Sequence, residues 1–276
     1  MSDNKDLLNI FYQSKYYSLK FKNYFPIYEK LFSKFRGKKI TFVEIGVLSG
    51  GSLFMWKDYF GKDARVIGVE LNPEAKKFEK EGFEIYIGNQ SDENFWKDFF
   101  DKVGEVDIIL DDGGHTNFQQ IVTCCSCIPS IKENGMMVVE DVFHSYGLSY
   151  GAKGFFNPSK YSFINFCKKS IDDINFRFPE SKKFRFSLNE YIYSAEFFES
   201  IVAFKINKNL CSSKNEVIYS KGENLEHKDF AHLHNQNIPG SNKFVLKIKK
   251  ILKSFRGNLK YVVFKINEHI LKKYFK

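Results

Sequence analysis

A chain of 276 residues with 43% hydrophobic residues can bury a sizeable core, enough for one α/β domain with elaborations. Its formal charge of +9 sits in the tail: residues 241–276 carry 11 Lys/Arg against one acid, Glu268, and the rest is nearly balanced, which argues against a nucleic-acid-binding body. Five cysteines, an odd number, do not make a secreted disulfide framework, and no apolar run approaches the ~20 residues that span a bilayer.

The chain opens on a polar, acidic stretch without the apolar core of a signal peptide, so a cytoplasmic location is expected. Residues 1–38 place Leu8, Phe11, Tyr12, Leu19, Phe25, Tyr28, Leu31 and Phe32 at helical spacing. A helical cap of two helices broken near Pro26 is predicted, packed over a sheet or lining a substrate mouth, with Gly37 as its stop. Residues 39–206 then read as the catalytic domain.

Ile40–Gly46 is a first strand, and the turn Val47-Leu48-Ser49-Gly50-Gly51-Ser52 opens a helix through Trp56 and Phe60. Such a turn brings a cofactor close to backbone N–H groups at a helix start, where Gly46 and Ser52 are candidates. Its glycine spacing is not G-x-G-x-x-G, which disfavours a nicotinamide dinucleotide. Arg65–Glu70 is a second strand, ending in an acid 19 residues after Gly51, close to the ~20 expected of a carboxylate that accepts ribose hydroxyls. After a third strand, Phe83–Gly88, the polar run containing Gln90 and Ser91 can bond an adenine edge or cap the helix that starts at Glu93.

Val106–Leu110 is a fourth strand, apolar enough to be buried on both faces of a parallel sheet, and it ends in Asp111-Asp112-Gly113-Gly114-His115. A helix over Asn117–Ile131 follows, in which Cys124, Cys125 and Cys127 read as small core residues rather than zinc or redox ligands. The fifth strand, Met136–Val139, ends in Glu140-Asp141. Carboxylates converging on one rim repel by roughly 1–4 kcal/mol per pair in wet surroundings, so a cation or shared protons must relieve them. The donor set suits a hard divalent cation, not zinc. Five βα units with acids at several strand ends predict a doubly wound, mostly parallel, Rossmann-like α/β sheet.

Beyond it lie Ser145-Tyr146, a Gly/Tyr-rich loop over 147–154 read as a lid, a helix near 161–176, and two apolar runs, 190–197 and 200–206, read as an antiparallel edge hairpin. Tyr146 and His144 are candidates for substrate contact; His144 is either a second base or an ordinary loop residue. Residues 207–240 read as a linker or extension. Residues 241–276 form a basic amphipathic helical pattern, which suits either the anionic inner face of a membrane or docking on the body or a second subunit.

The motifs Phe42-Val43-Glu44-Ile45-Gly46, Gly50-Gly51-Ser52-Leu53, Gly88-Asn89-Gln90-Ser91-Asp92, Leu110-Asp111-Asp112-Gly113-Gly114-His115 and Glu140-Asp141 together resemble class I S-adenosyl-L-methionine-dependent methyltransferases. More narrowly, they are similar to the metal-dependent O-methyltransferases of macrolide sugars and the rhamnosyl O-methyltransferase/cephalosporin-hydroxylase-like group. The resemblance implies Mg²⁺ or Mn²⁺ held by Asp112, Glu140 and Asp141, with His115 as general base. It implies cofactor contacts from Glu44, Gly46, Glu70, Gln90 and Asp111, and a sugar hydroxyl as acceptor, in a nucleotide sugar or a glycan such as a surface polysaccharide. Gly114 departs from the Ser of some members, and Phe143-His144 from their His-Thr, which bears on substrate contacts. Two alternatives remain open: a non-sugar acceptor (phenol, small alcohol or phosphorylated metabolite), and a non-catalytic scaffold on the same fold.

Overall fold

The computed structural model describes residues 6–148, 157–177, 188–213 and 216–223. The chain divides into two compact units, residues 1–216 and 217–276. The described part of the second, 217–223, contains no helix or strand.

Seven strands make one sheet: β1 (Thr41–Ile45), β2 (Arg65–Glu70), β3 (Glu84–Ile87), β4 (Val106–Asp111), β5 (Ile131–Val139), β6 (Ile192–Phe198) and β7 (Ile201–Ile206). Their order is β3-β2-β1-β4-β5-β7-β6. The first five pair in parallel; β7 runs antiparallel to β5, and β6 to β7. The predicted doubly wound sheet with an antiparallel edge hairpin is therefore what the chain forms. Because side chains alternate across a strand, each strand feeds two cores. Phe42, Leu110, Val138 and Ala203 enter one, Val43, Ile109, Val139 and Phe204 the other.

The first face is covered by α1 (Leu7–Tyr12), α2 (Tyr24–Phe32) and α3 (Gly51–Phe60). Their contact is aromatic: Phe32 lies edge-on to Phe42 and Trp56 at 6.1 and 5.5 Å, and Tyr28 edge-on to Trp56 at 5.2 Å. Such pairs add about 0.5–1.5 kcal/mol each beyond the area they bury. The second face carries α4 (Glu93–Val103), α5 (Asn117–Cys127) and α6 (Phe163–Phe176). A short α7 (Lys208–Ser212) follows β7.

Several boundaries differ from the sequence reading, for local reasons. Pro26 breaks nothing: it sits in the first turn of α2, where a missing N–H removes no intrahelical bond. The break falls instead between Tyr12 and Tyr24. The fifth strand begins at Ile131, with an irregular register against β4, and Asn134 there adopts a positive φ of 65°. Its polar start, Lys132-Glu133-Asn134, hid it from a search for apolar runs. The helix from Asn117 ends at Cys127, and a short turn containing Pro129 follows. Cys124 and Cys127 are buried as expected, but Cys125 is exposed. The predicted linker begins with α7 rather than coil. Most of the Gly/Tyr-rich lid (149–154), and the whole basic tail, lie outside the described residues. Among the described residues no helix is long and apolar enough to cross a membrane.

Candidate active site

The order of the sheet reverses between β1 and β4, the place where open α/β sheets bind ligands beyond their carboxyl ends. A cavity of about 530 Å³ opens there, lined by Gly46, Ser52, Glu70, Gln90, Asp112, His115, Glu140, Asp141 and the segment Tyr17–Phe21.

Its β1 side is a backbone turn packed with no room to spare. At Gly46 φ is +90°, and a Cβ there would lie 2.1 Å from the carbonyl oxygen of Asp112. At Gly51 a Cβ would meet the carbonyl of Tyr16 at 2.2 Å, so the segment before α2 lies directly on the turn. Ser14 Oγ fastens it by donating to the Gly51 carbonyl at 2.6 Å. Glu70 clamps the turn from β2. One of its oxygens accepts from the N–H groups of Val47 and Leu48 (2.8 and 3.0 Å), the other from Leu71 and Asn72 (2.8 and 3.0 Å). Burial alone would raise its pKa, but four backbone donors hold the carboxyl below the usual range.

Gln90 braces the opposite wall. Its amide donates to Asp111 Oδ1 and Thr123 Oγ1, both at 3.0 Å, and its carbonyl accepts from Gly114 N at 2.8 Å. Asp111 is fully buried, also accepts from Gly113 N, and leaves Oδ2 without a hydrogen-bond partner among the described residues. Burial pushes its carboxyl up to about 6 from 3.8. The folded ligand-free protein therefore binds a proton that the unfolded chain has released between about pH 4 and 6. Stability from this group is present below pH 4 and is lost by pH 7, by about 3 kcal/mol at ~1.4 kcal/mol per unit. Asp111→Asn should therefore melt higher than the parent at pH 7.5 and lose most of that advantage at pH 4.5. A constant difference between the two melting curves would contradict this.

On the strand-end side, β4 and β5 deliver the acids. Two of the residues that turn the chain there, His115 (φ 56°) and Asp141 (φ 57°), sit in the left-handed region, a strained backbone for residues with a Cβ and one that clusters at functional sites. Their side chains meet. Ligand atoms of Asp112, His115 and Asp141 all lie within 4.8 Å of one another. His115 Nε2 is 3.4 Å from Asp141 Oδ2 and 3.9 Å from Asp112 Oδ1, while its buried Nδ1 has no hydrogen-bond partner among the described residues. Glu140 stands beside them with both oxygens engaged: Tyr28 Oη donates to one at 2.5 Å and Lys20 Nζ to the other at 2.9 Å. Burial pushes its carboxyl upward against the pull of that ammonium. Lys20 Nζ also reaches Asp112 Oδ2 at 2.5 Å, and Tyr24 Oη donates to Asp141 Oδ1 at 2.5 Å. A carboxylate cluster that draws in a buried ammonium, next to an imidazole nitrogen with no partner, fits a hard divalent cation.

The predicted residues thus divide. Gly46, Ser52, Glu70, Gln90, Asp112, His115, Glu140 and Asp141 line the cavity. Glu44, Ser91, Asp111, His144 and Tyr146 are not on its wall. Glu44 is turned into the core, where it accepts from Ser52 Oγ (2.8 Å) and Trp56 Nε1 (3.1 Å), and burial pushes it up to about 7. Asp111 acts through Gln90 and the glycine pair. His144 stacks on His115 with ring centres 5.3 Å apart, and Tyr146 ends the turn after Asp141. Lys20, Tyr24 and Tyr28 were not foreseen. The four-residue spacing of the two tyrosines on one helix face was the available signal; Lys20 had none.

No model of a known protein family matches the chain. By sequence it is similar to the 8-demethyl-8-alpha-L-rhamnosyl tetracenomycin-C 2'-O-methyltransferase of Streptomyces olivaceus, 31% identical over 159 residues, or 55% of this chain and 41% of that protein. The mycinamicin VI 2''-O-methyltransferase of Micromonospora griseorubida is 28% identical over 156 residues, 54% of this chain and 39% of that one. The chain spans about two fifths of the length of these relatives. In structure it is similar to the MycE methyltransferase from the mycinamycin biosynthetic pathway, in complex with Mg and SAH, with a TM-score of 0.69 at 21% identity over 86% of this chain and 60% of that one. That structural match shows that the chain shares its doubly wound fold with this methyltransferase, and by sequence the chain is similar, over about half of its length, to sugar O-methyltransferases.

Proposed function

We propose that the chain is an S-adenosyl-L-methionine-dependent, divalent-cation-dependent O-methyltransferase acting on a hydroxyl of a sugar. The observation that carries this reading is one cavity holding both the Gly46 turn with its Glu70 clamp and the Asp112–His115–Asp141 cluster. The named relatives support the acceptor class, since the Streptomyces olivaceus enzyme is a rhamnosyl 2'-O-methyltransferase.

S-Adenosyl-L-methionine, when bound, supplies a methyl group on a sulfonium, and Mg²⁺ or Mn²⁺ supplies a Lewis acid that makes a hydroxyl more acidic. The residues do the rest. Glu70, fixed at the cavity wall by four N–H groups, presents its carboxylate charge to ribose hydroxyls. Gly46 lets the cofactor lie against backbone. Asp112 and Asp141, with Glu140 beside them, hold the cation. His115 takes the hydroxyl proton at Nε2, the nitrogen that lies 3.4 Å from Asp141 Oδ2. A nucleophile aligned about 3 Å behind the methyl makes positioning the dominant contribution.

The test is methyl incorporation from labelled S-adenosyl-L-methionine into nucleotide-linked sugars, free glycans, small glycosides, catechols and phosphorylated metabolites. Incorporation into a sugar hydroxyl, lost in EDTA and restored by Mg²⁺ or Mn²⁺, is the expected outcome. Turnover confined to a catechol or a phosphorylated metabolite would replace the acceptor, and full activity of metal-free protein in EDTA would remove the cation from the reaction.

A further inference from the structure

The most heavily partnered cation in the site is one the chain brings itself. Lys20 belongs to the segment of residues 13–23 between α1 and α2, which contains no helix or strand longer than a turn. Its side chain is only 2% exposed, and its ammonium bridges Asp112 and Glu140, acids from two different strands. Its neighbours are exposed in the opposite sense: Leu19 is 60% and Phe21 55% accessible. Where a segment puts its lysine inward and leaves the apolar residues on either side more than half exposed, the charge contact is the buried anchor of that stretch. Other fastenings lie toward its two ends: Ser14 bonds the Gly51 carbonyl, Lys15 pairs with Glu81 and the Tyr16 ring meets Phe54 and Phe78 at the start, while the Phe21 ring meets Tyr24 and Phe143 and Asn23 bonds Glu199 at the finish.

We propose that Lys20 is a tethered stand-in for the divalent cation, neutralising the cluster while no ion is bound and leaving it when an ion enters. This rests on the cation-dependent reading above. An ammonium and a divalent ion compete for the oxygens of Asp112 and Glu140, and at the few ångströms that would separate them there they repel each other. Loading the ion therefore expels Lys20, and the stretch Tyr17–Phe21 that walls the cavity moves with it. The empty protein keeps its carboxylates paired and its cavity walled. The loaded protein opens that wall. Ion binding and the position of the wall thus become one equilibrium with two exclusive states.

Two measurements on the full chain test this, neither of them turnover. The first is Mn²⁺ affinity by electron paramagnetic resonance for the parent, Lys20→Met and Lys20→Gln, with Asp112→Asn as the variant that should lose the ion. Removing the internal competitor should tighten Mn²⁺ binding by about tenfold or more, the usual scale of such coupling. The second is hydrogen exchange of backbone amides 14–22 in the parent with and without Mg²⁺, which needs no variant and stands even if the Lys20 variants fail to fold. Exchange there should quicken with Mg²⁺, while that of β1 and β4 should not. Equal Mn²⁺ affinity in parent and Lys20 variants, or exchange over 14–22 unchanged by saturating Mg²⁺, overturns the proposal and leaves the cation reading intact. Absence of Mn²⁺ binding in the parent and in every variant overturns both.

Discussion

Replacing His115 by asparagine should cut turnover by about 10²–10⁴-fold, the usual worth of a positioned general base, while cofactor affinity stays within a few-fold of the parent. Asparagine is the variant of choice because the residue holds φ 56°, a backbone that Asn tolerates better than Ala does. The groups assigned to the cofactor, the Gly46 turn and Glu70, are fastened by the backbone of β1 and β2 and do not involve the imidazole. Calorimetric titration with S-adenosylhomocysteine alongside single-turnover methyl transfer separates the two effects. A fall in cofactor affinity that accounts for the whole loss of turnover would contradict the role of base.

Gly46→Ala should be the most damaging alanine substitution among the described glycines. The new methyl would sit 2.1 Å from the Asp112 carbonyl oxygen, which is backbone and cannot swing aside, and φ is +90°. Left-handed strain of about 1–2 kcal/mol joins an overpacking cost of about 1–3 kcal/mol, or about 2–4 °C of melting temperature for each kcal/mol in a domain of this size. Relief comes only by parting the ends of β1 and β4, so cofactor and cation affinity should fall together. Gly82→Ala is the control: φ is +87° but a Cβ there meets nothing within 4 Å, so strain alone remains. Similar melting shifts for the two variants would show that the contact with Asp112 does not matter.

The parallel strands were legible because burial on both faces leaves short runs rich in β-branched and aliphatic residues, as in Val66-Ile67-Gly68-Val69 and Ile108-Ile109-Leu110. The rim residues were legible because chemistry gathers at strand ends, a rule of topology that needs no coordinates. What stayed hidden was whether a side chain faces the cavity or the core. Glu44 and Glu70 lie near the carboxyl ends of the neighbouring strands β1 and β2, yet one faces Ser52 and Trp56 inside while the other meets four N–H groups at the cavity. The identity of the neighbours across the sheet decides that, and spacing does not carry it. Lys20 lay further out of reach. It contacts Asp112 and Glu140 across 92 and 120 residues, and nothing in its own neighbourhood distinguishes it from the other lysines of an abundant class.

The turn between β6 and β7 touches the site without entering it. Val142 N donates to the Ser200 carbonyl at 3.0 Å, and Asn23 Nδ2 to Glu199 Oε2 at 3.0 Å. The residue after Asp141 and the residue before Tyr24 are thus pinned to one corner of the surface, and Tyr24 itself donates a hydrogen bond to Asp141. An antibody fragment, a crosslinker or a loop insertion bearing on that corner would have mechanical leverage over catalysis while leaving the pocket physically open.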